Sequence, residues 1–177
     1  KILSKYSSQD FITTTLRPAT VCGYSPRQRL DVVVNIFTNL AVNKKEINVF
    51  GGNQLRPNIN IKDMVRAYLF IINANPDIIN DKIFNVGFDN HTVYDLAAMT
   101  KKIVGDDIKL NIVPTDDNRS YHISSKKIFN ELGFKTEFDI EDAIFELKNA
   151  MIDGRLKNTL EDPKYFNIKT MQNINLK

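Results

Sequence analysis

The chain has a single cysteine, Cys22, and only two histidines, His91 and His122. One thiol can form no internal disulfide, so the reducing cytosol is the simplest compartment. No histidine and acid flank Cys22 in sequence, and a small buried residue is expected there rather than a nucleophile. The histidines stand apart from any metal-ligand spacing, which argues against a metal centre. None of the seven glycines falls in a G-x-x-G-x-x-G run, the turn through which a helix N-terminus receives a dinucleotide pyrophosphate. Apolar runs are short. Phe70-Ile71-Ile72 and Val32-Val33-Val34 are core-sized, far below the roughly 18 residues of a membrane span. The first ten residues carry no signal-peptide layout, so the N-x-S/T triplets at Asn90 and Asn118 read as chance. With a formal net charge of only +3, neither nucleic acid nor an anionic membrane is an expected partner.

What is present is ordinary for a globular protein: 177 residues, 42% hydrophobic and 25% charged. That length fits one domain able to bury about 70% of its unfolded surface. The chain opens on Lys1 rather than methionine, and the expectation is a fragment or a processed product.

Apolar periods switch repeatedly between helix and strand, without repeats or low-complexity linkers. Residues 1–10 read as the end of a helix, Ile12 to Leu16 as a strand and Thr20 to Arg29 as a loop. Ser25-Pro26 or Asp31 starts a helix running to about Asn43, with Val33, Ile36, Phe37, Leu40 and Ala41 on one face. Ile47 to Phe50 is a strand, Gly51-Gly52 a turn, and a helix after Asp63 is ended by Pro76. Ile83 to Val86 forms a strand stopped by Gly87. Thr92 and Asp95 make a capping box for a helix ending at Gly105, and Ile108, Leu110 and Ile112 alternate along a half-buried strand. Two helices close the pattern, one ending at Gly133 and one starting near Asp139. After Gly154 the chain is polar and asparagine-rich, an ordered arm or a loose tail. Alternating strands and helices predict an α/β fold with mostly parallel pairing.

The stretch Ile47 to Asp63, INVFGGNQLRPNINIKD, carries the most information. A strand, a Gly-Gly turn, one arginine, a second apolar stretch and a helix-starting acid would let a nucleotide diphosphate lie along the strand and meet the arginine. Three further segments accompany it in order: TLRPATVCG (15–23), IFNVG (83–87) and DDNRSYHISSKKIFNELGF (116–134). Together they resemble the C-terminal half of the extended short-chain dehydrogenase/reductase family, the NAD-dependent epimerases and dehydratases of nucleotide sugars. The resemblance covers residues 1 to about 152. It implies the C-terminal part of an extended Rossmann-type fold, with parallel strands, helices and a small substrate-binding subdomain over 1–153, and a polar arm over 154–177.

By this resemblance Arg56 binds the substrate diphosphate, a role that suits a planar guanidinium fork. Arg119 is the second anchor, against the diphosphate or ribose, so that two cations clamp one pyrophosphate. The alternatives are a surface Arg56 paired with an acid, and an Arg119 satisfied by Asp116 or Asp117. Val49, with Ile47 beside it, would lie along the nucleotide base or serve as plain core. Asp31 stands where relatives carry an asparagine near the diphosphate. Since a carboxylate repels phosphate, it either caps its helix or leaves the ligand to backbone N–H groups. Arg27 and Arg29 are spare cations nearby. Pro18 and Thr20 would face the nicotinamide and the sugar. The chain has Thr20 where relatives carry asparagine and Cys22 where they carry tyrosine, so the substrate is left open.

The family's chemistry needs a Tyr-x-x-x-Lys pair on one helix face, the lysine lowering the tyrosine pKa. Its counterpart would lie just upstream of residue 1. The pair Tyr165 and Lys169 lies in the polar arm without an apolar helical face and is rejected as catalytic. The expected function is therefore the nucleotide-sugar-binding portion of an NAD- or NADP-dependent epimerase or dehydratase, not competent alone and not expected to hold the cofactor tightly by itself. The other readings are a non-catalytic nucleotide-sugar-binding module and an interaction protein. Because the strands at 12–16 and 83–86 would lack neighbours, either an N-terminal half or a homo-oligomer is the expected partner.

Overall fold

The computed structural model describes residues 2–117 and 119–174; Asn118, head of the second N-x-S/T triplet, lies outside them. Among the described residues, seven strands and seven α-helices form a mixed α/β arrangement with mainly parallel pairing. A 3-10 turn at Leu3–Tyr6 stands where the end of a helix is expected.

Strand β1, Thr14–Pro18, pairs in parallel with β5, Lys82–Val86, from Thr14 opposite Lys82 to Pro18 opposite Val86. It lies two residues later than the sequence pattern places it. After one residue, Ala19, the chain enters β2, Thr20–Cys22, where a loop is expected. This strand aligns in parallel with the end of β4, Leu55–Asn60, while the start of β4 pairs antiparallel with β6, Asn90–Thr92. Three-residue strands such as β2 and β6 show no period of their own; their partners define them. The third sheet joins β3, Glu46–Phe50, in parallel with β7, Lys109–Val113. Ile108, just before β7, is buried as the alternation predicts, whereas Ile112 within it is exposed.

Helix α1, Val33–Lys44, starts at neither expected cap: Val32 occupies the N-cap with no side-chain hydrogen bond. Its buried face is broader than the apolar stripe, taking in Asn35, Thr38 and Asn39 with Val34, Phe37 and Ala41. The reason is cover on two sides: α4, Val93–Val104, and α6, Ile140–Ile152, pack against it, and the Asn39 amide donates to the Thr159 carbonyl at 2.9 Å. Both partner helices carry full capping boxes, Thr92 with Asp95 and Asp139 with Asp142. These three helices and β3 enclose the larger core around Val34, Ile47, Val49, Leu96 and Ile144.

A second core joins the β1–β5 pair to α2, Ile61–Ile72, and α5, Lys126–Leu132, through Ile59, Met64, Phe84 and Ile128. Pro76 stands at the first turn of a short helix, α3, Pro76–Ile79, four residues after α2 ends. Asp63 lies inside the first turn of α2, with Asn60 as N-cap. Its carboxylate is fully buried, pairs with Arg66, and accepts the amides of Glu137 at 3.0 Å and Phe138 at 2.9 Å.

The polar arm packs back on the body. Tyr165, in a 3-10 turn at Pro163–Tyr165, is buried with Leu30 and Leu147, and α7, Asn167–Asn173, follows. The Leu30 amide donates to the Tyr165 carbonyl at 2.8 Å, and the Tyr165 hydroxyl donates to the Lys157 carbonyl at 3.1 Å. Tyr165 and Lys169 therefore share no helix: the tyrosine is core, and the Lys169 ammonium lies over the Phe166 ring.

Candidate functional site

Gly51 and Gly52 turn the chain between β3 and β4 at φ of +77° and +115°, backbone that side chains rarely adopt. A Cβ on Gly51 would also stand 2.6 Å from the Gln54 amide and 2.7 Å from Thr115. The tight turn brings β4 back so that Arg56, its second residue, faces the irregular segment after β7. There Arg119 grips Asp117 with two parallel hydrogen bonds, Nε to Oδ1 at 2.7 Å and Nη2 to Oδ2 at 2.8 Å. Arg56 Nη2 lies 3.6 Å from the same Asp117 Oδ2, and Arg56 Nη1 donates to the carbonyls of Leu55 and Arg119. The Arg56 guanidinium also rests over the Tyr121 ring, 5.4 Å from its centre.

The two arginines are thus neighbours bridged by one carboxylate. Hydrogen bonds from Arg119 hold the Asp117 carboxyl well below the usual carboxylate range, with a smaller contribution from the Arg56 charge. The same bonds push Arg119 up. Beside them opens a hollow of about 330 Å³ lined by Gly51, Asn53, Gln54, Thr115, Asp117 and Ser120. Its lining offers hydroxyl and amide groups together with the Asp117 carboxylate that both arginines hold. Sequence reasoning placed both arginines on one ligand; the bridging Asp117 entered only as one possible partner of Arg119, and Tyr121 was missed. The D-D-N-R run held the signal for Asp117, an acid two residues before its cation.

A second hollow, of about 450 Å³, opens at Ala19, where the chain leaves the β1–β5 sheet for the β2–β4–β6 sheet. Pro18, Thr20, Gly23, Arg27 and Arg29 are among its lining residues. Strand ends that diverge in this way form a crevice, the usual position of ligands in open α/β sheets. Asp31 is drawn away from it: its carboxylate pairs with Arg29 and accepts the Asn167 amide at 3.0 Å, so it anchors the arm and does not cap α1. Arg27 likewise reaches the arm, donating to the Lys164 carbonyl at 3.4 Å and to Asn167 Oδ1 at 3.3 Å.

Val49 and Ile47 are fully buried in the larger core, and the β3 edge away from β7 has no strand partner among the described residues. Cys22 is buried, and loss of solvent pushes its thiol up to about 12. His91 stands opposite Arg56 in the β4–β6 pair. Among the described residues, no cluster of three or more His, Cys, Asp or Glu could hold a metal, and no helix is long and apolar enough to cross a membrane.

Parallel strands with covering helices and a crevice at their diverging ends define a Rossmann-type α/β protein. Residues 1–87 match the model of the NAD dependent epimerase/dehydratase family. Among solved structures, it is similar to UDP-glucose 4-epimerase of Thermotoga maritima, determined with UDP-glucose, at 26% identity and a TM-score of 0.70 over 83% of this chain and 48% of that one. It shares the fold of dTDP-glucose 4,6-dehydratase of Bacillus anthracis, determined with NAD, at 16% identity and TM-score 0.72, covering 90% and 51% of the two chains. The same fold recurs in ADP-L-glycero-D-manno-heptose-6-epimerase of Helicobacter pylori, at 20% identity and TM-score 0.71, covering 85% and 48%. The chain spans about half the length of these structures.

Proposed function

We propose that this chain is the nucleotide-sugar-binding portion of an NAD- or NADP-dependent epimerase or dehydratase, with the ligand's diphosphate held between Arg56 and Arg119. The observation that carries this reading is the convergence of the two guanidinium groups, from β4 and from the segment after β7, on one carboxylate beside an open polar hollow. A diphosphate satisfies the same forks with more charge and more oxygens than a carboxylate. Similarity to an epimerase determined with UDP-glucose supports a nucleotide sugar as the ligand.

In this reading the Pro18–Thr20 crevice supplies one wall for the sugar and the nicotinamide, and the pyrophosphate of the cofactor is held by residues outside this chain. The catalytic tyrosine and lysine come from an N-terminal half, which also covers the free edges of β1 and β5; failing that, the chain self-associates. One buried cysteine suits a reducing cytoplasm. Titration with UDP-glucose followed by amide NMR tests the site. Shifts centred on Gly51, Gln54, Ser120 and Tyr121 support it; a response confined to residues remote from Arg56 and Arg119 overturns it.

A further inference from the structure

If Arg56 and Arg119 hold a diphosphate as proposed, Asp117 is already where the ligand must go. Its carboxylate occupies the Nε–Nη2 edge of Arg119, the edge best shaped to chelate a phosphate, and stands 3.6 Å from Arg56. Among the described residues, the carboxylate's partners are those two arginines and the Arg119 amide, at 3.2 Å. The side chain is 36% exposed and lines the hollow, so it has room to leave. Backbone anchoring is separate, through the Asp117 amide, which donates to the Thr115 hydroxyl at 3.2 Å.

We propose that Asp117 is a specificity-determining residue, an internal anion that a ligand must displace from the arginine pair. A singly charged ligand exchanges one negative charge for another and gains no Coulomb energy. A diphosphate brings at least two and displaces the carboxylate with a net gain. Asp117 thereby lowers affinity for all anions while favouring the multiply charged ones. It also keeps two adjacent cations from facing each other uncompensated when no ligand is bound. Arg56 retains its place without the carboxylate through the Leu55 carbonyl and the Tyr121 ring.

The test is calorimetric titration of the full chain with UDP at low ionic strength, comparing wild type with Asp117→Asn, Asp117→Ala and Asp116→Asn, and with uridine as the uncharged control. The proposal expects both Asp117 variants to bind UDP about tenfold tighter, with a steeper loss of affinity as salt is added. Uridine binding and the Asp116→Asn titration should match wild type. UDP binding by wild type that is unchanged or weakened in both Asp117 variants overturns the displacement idea and leaves the diphosphate reading standing. Absence of UDP binding in wild type and variants alike overturns both. The two substitutions serve as mutual checks, since the amide keeps the side chain's shape and the methyl removes it.

Discussion

Arg56 Nη2 lies 3.6 Å from Asp117 Oδ2, on the carboxylate that Arg119 holds from its other side through two hydrogen bonds. Residues more than sixty positions apart in sequence are joined there by a turn of two glycines and by the return of the chain after β7. An exposed ion pair of this kind adds little to stability. Its interest lies in the ready exchange of its anion.

Acid does not readily open this pair. Because the Asp117 pKa is depressed in the folded chain, its contribution is present above the unfolded value of about 4 and is lost as pH falls below it. Asp117 should therefore stay ionised from pH 5 to 8, and its contribution to UDP binding should be constant across that range. Carboxylate titration by NMR checks this; an Asp117 midpoint above pH 4 contradicts it.

Asp63 is expected to be the most sensitive charged position for stability. Its buried carboxylate accepts two main-chain amides and pairs with Arg66, tying α2 to the segment that leads into α6. Asp63→Ala strands these donors, and a loss of about 3 kcal/mol follows from breaking a buried charged network. Urea unfolding measures it; a change under 1 kcal/mol contradicts the assignment.

Tyr165→Ala should release the arm. The ring fills a small core with Leu30 and Leu147, and its carbonyl holds the Leu30 amide. Loss of a large buried aromatic costs about 3 kcal/mol or more. Hydrogen exchange should accelerate at Leu30 and in the neighbouring loop that carries Arg27 and Arg29, and remain slow in α4.

Cys22 should be inert in the folded protein. Its thiol is buried and pushed up to about 12, so the reactive thiolate is scarce at pH 8. A thiol reagent should label it only after denaturation; rapid labelling of the native chain contradicts the burial.

Much of the fold was legible because local chemistry set the element ends. Thr92 with Asp95, Asp139 with Asp142, and the left-handed Gly133 mark helix termini by hydrogen-bonding capacity and backbone freedom alone. What was not legible depended on partners. The short strands β2 and β6 exist only through β4, and α1 starts without a side-chain cap because Asp31 serves the arm instead. The buried asparagines of α1 reflect packing on two sides, which a single apolar stripe does not reveal. At the site, Arg56 and Arg119 stood out as cations in a recognisable order. That Asp117 bridges them required the return of the chain in three dimensions.

The most direct measurement is a double-mutant cycle on UDP-glucose affinity, using wild type, Arg56→Ala, Arg119→Ala and the double variant. A shared diphosphate clamp predicts a loss of about 1.5–3 kcal/mol for each single change, the size of a charge-assisted hydrogen bond, and a double loss smaller than the sum. Equal affinity in wild type and Arg56→Ala would contradict the account.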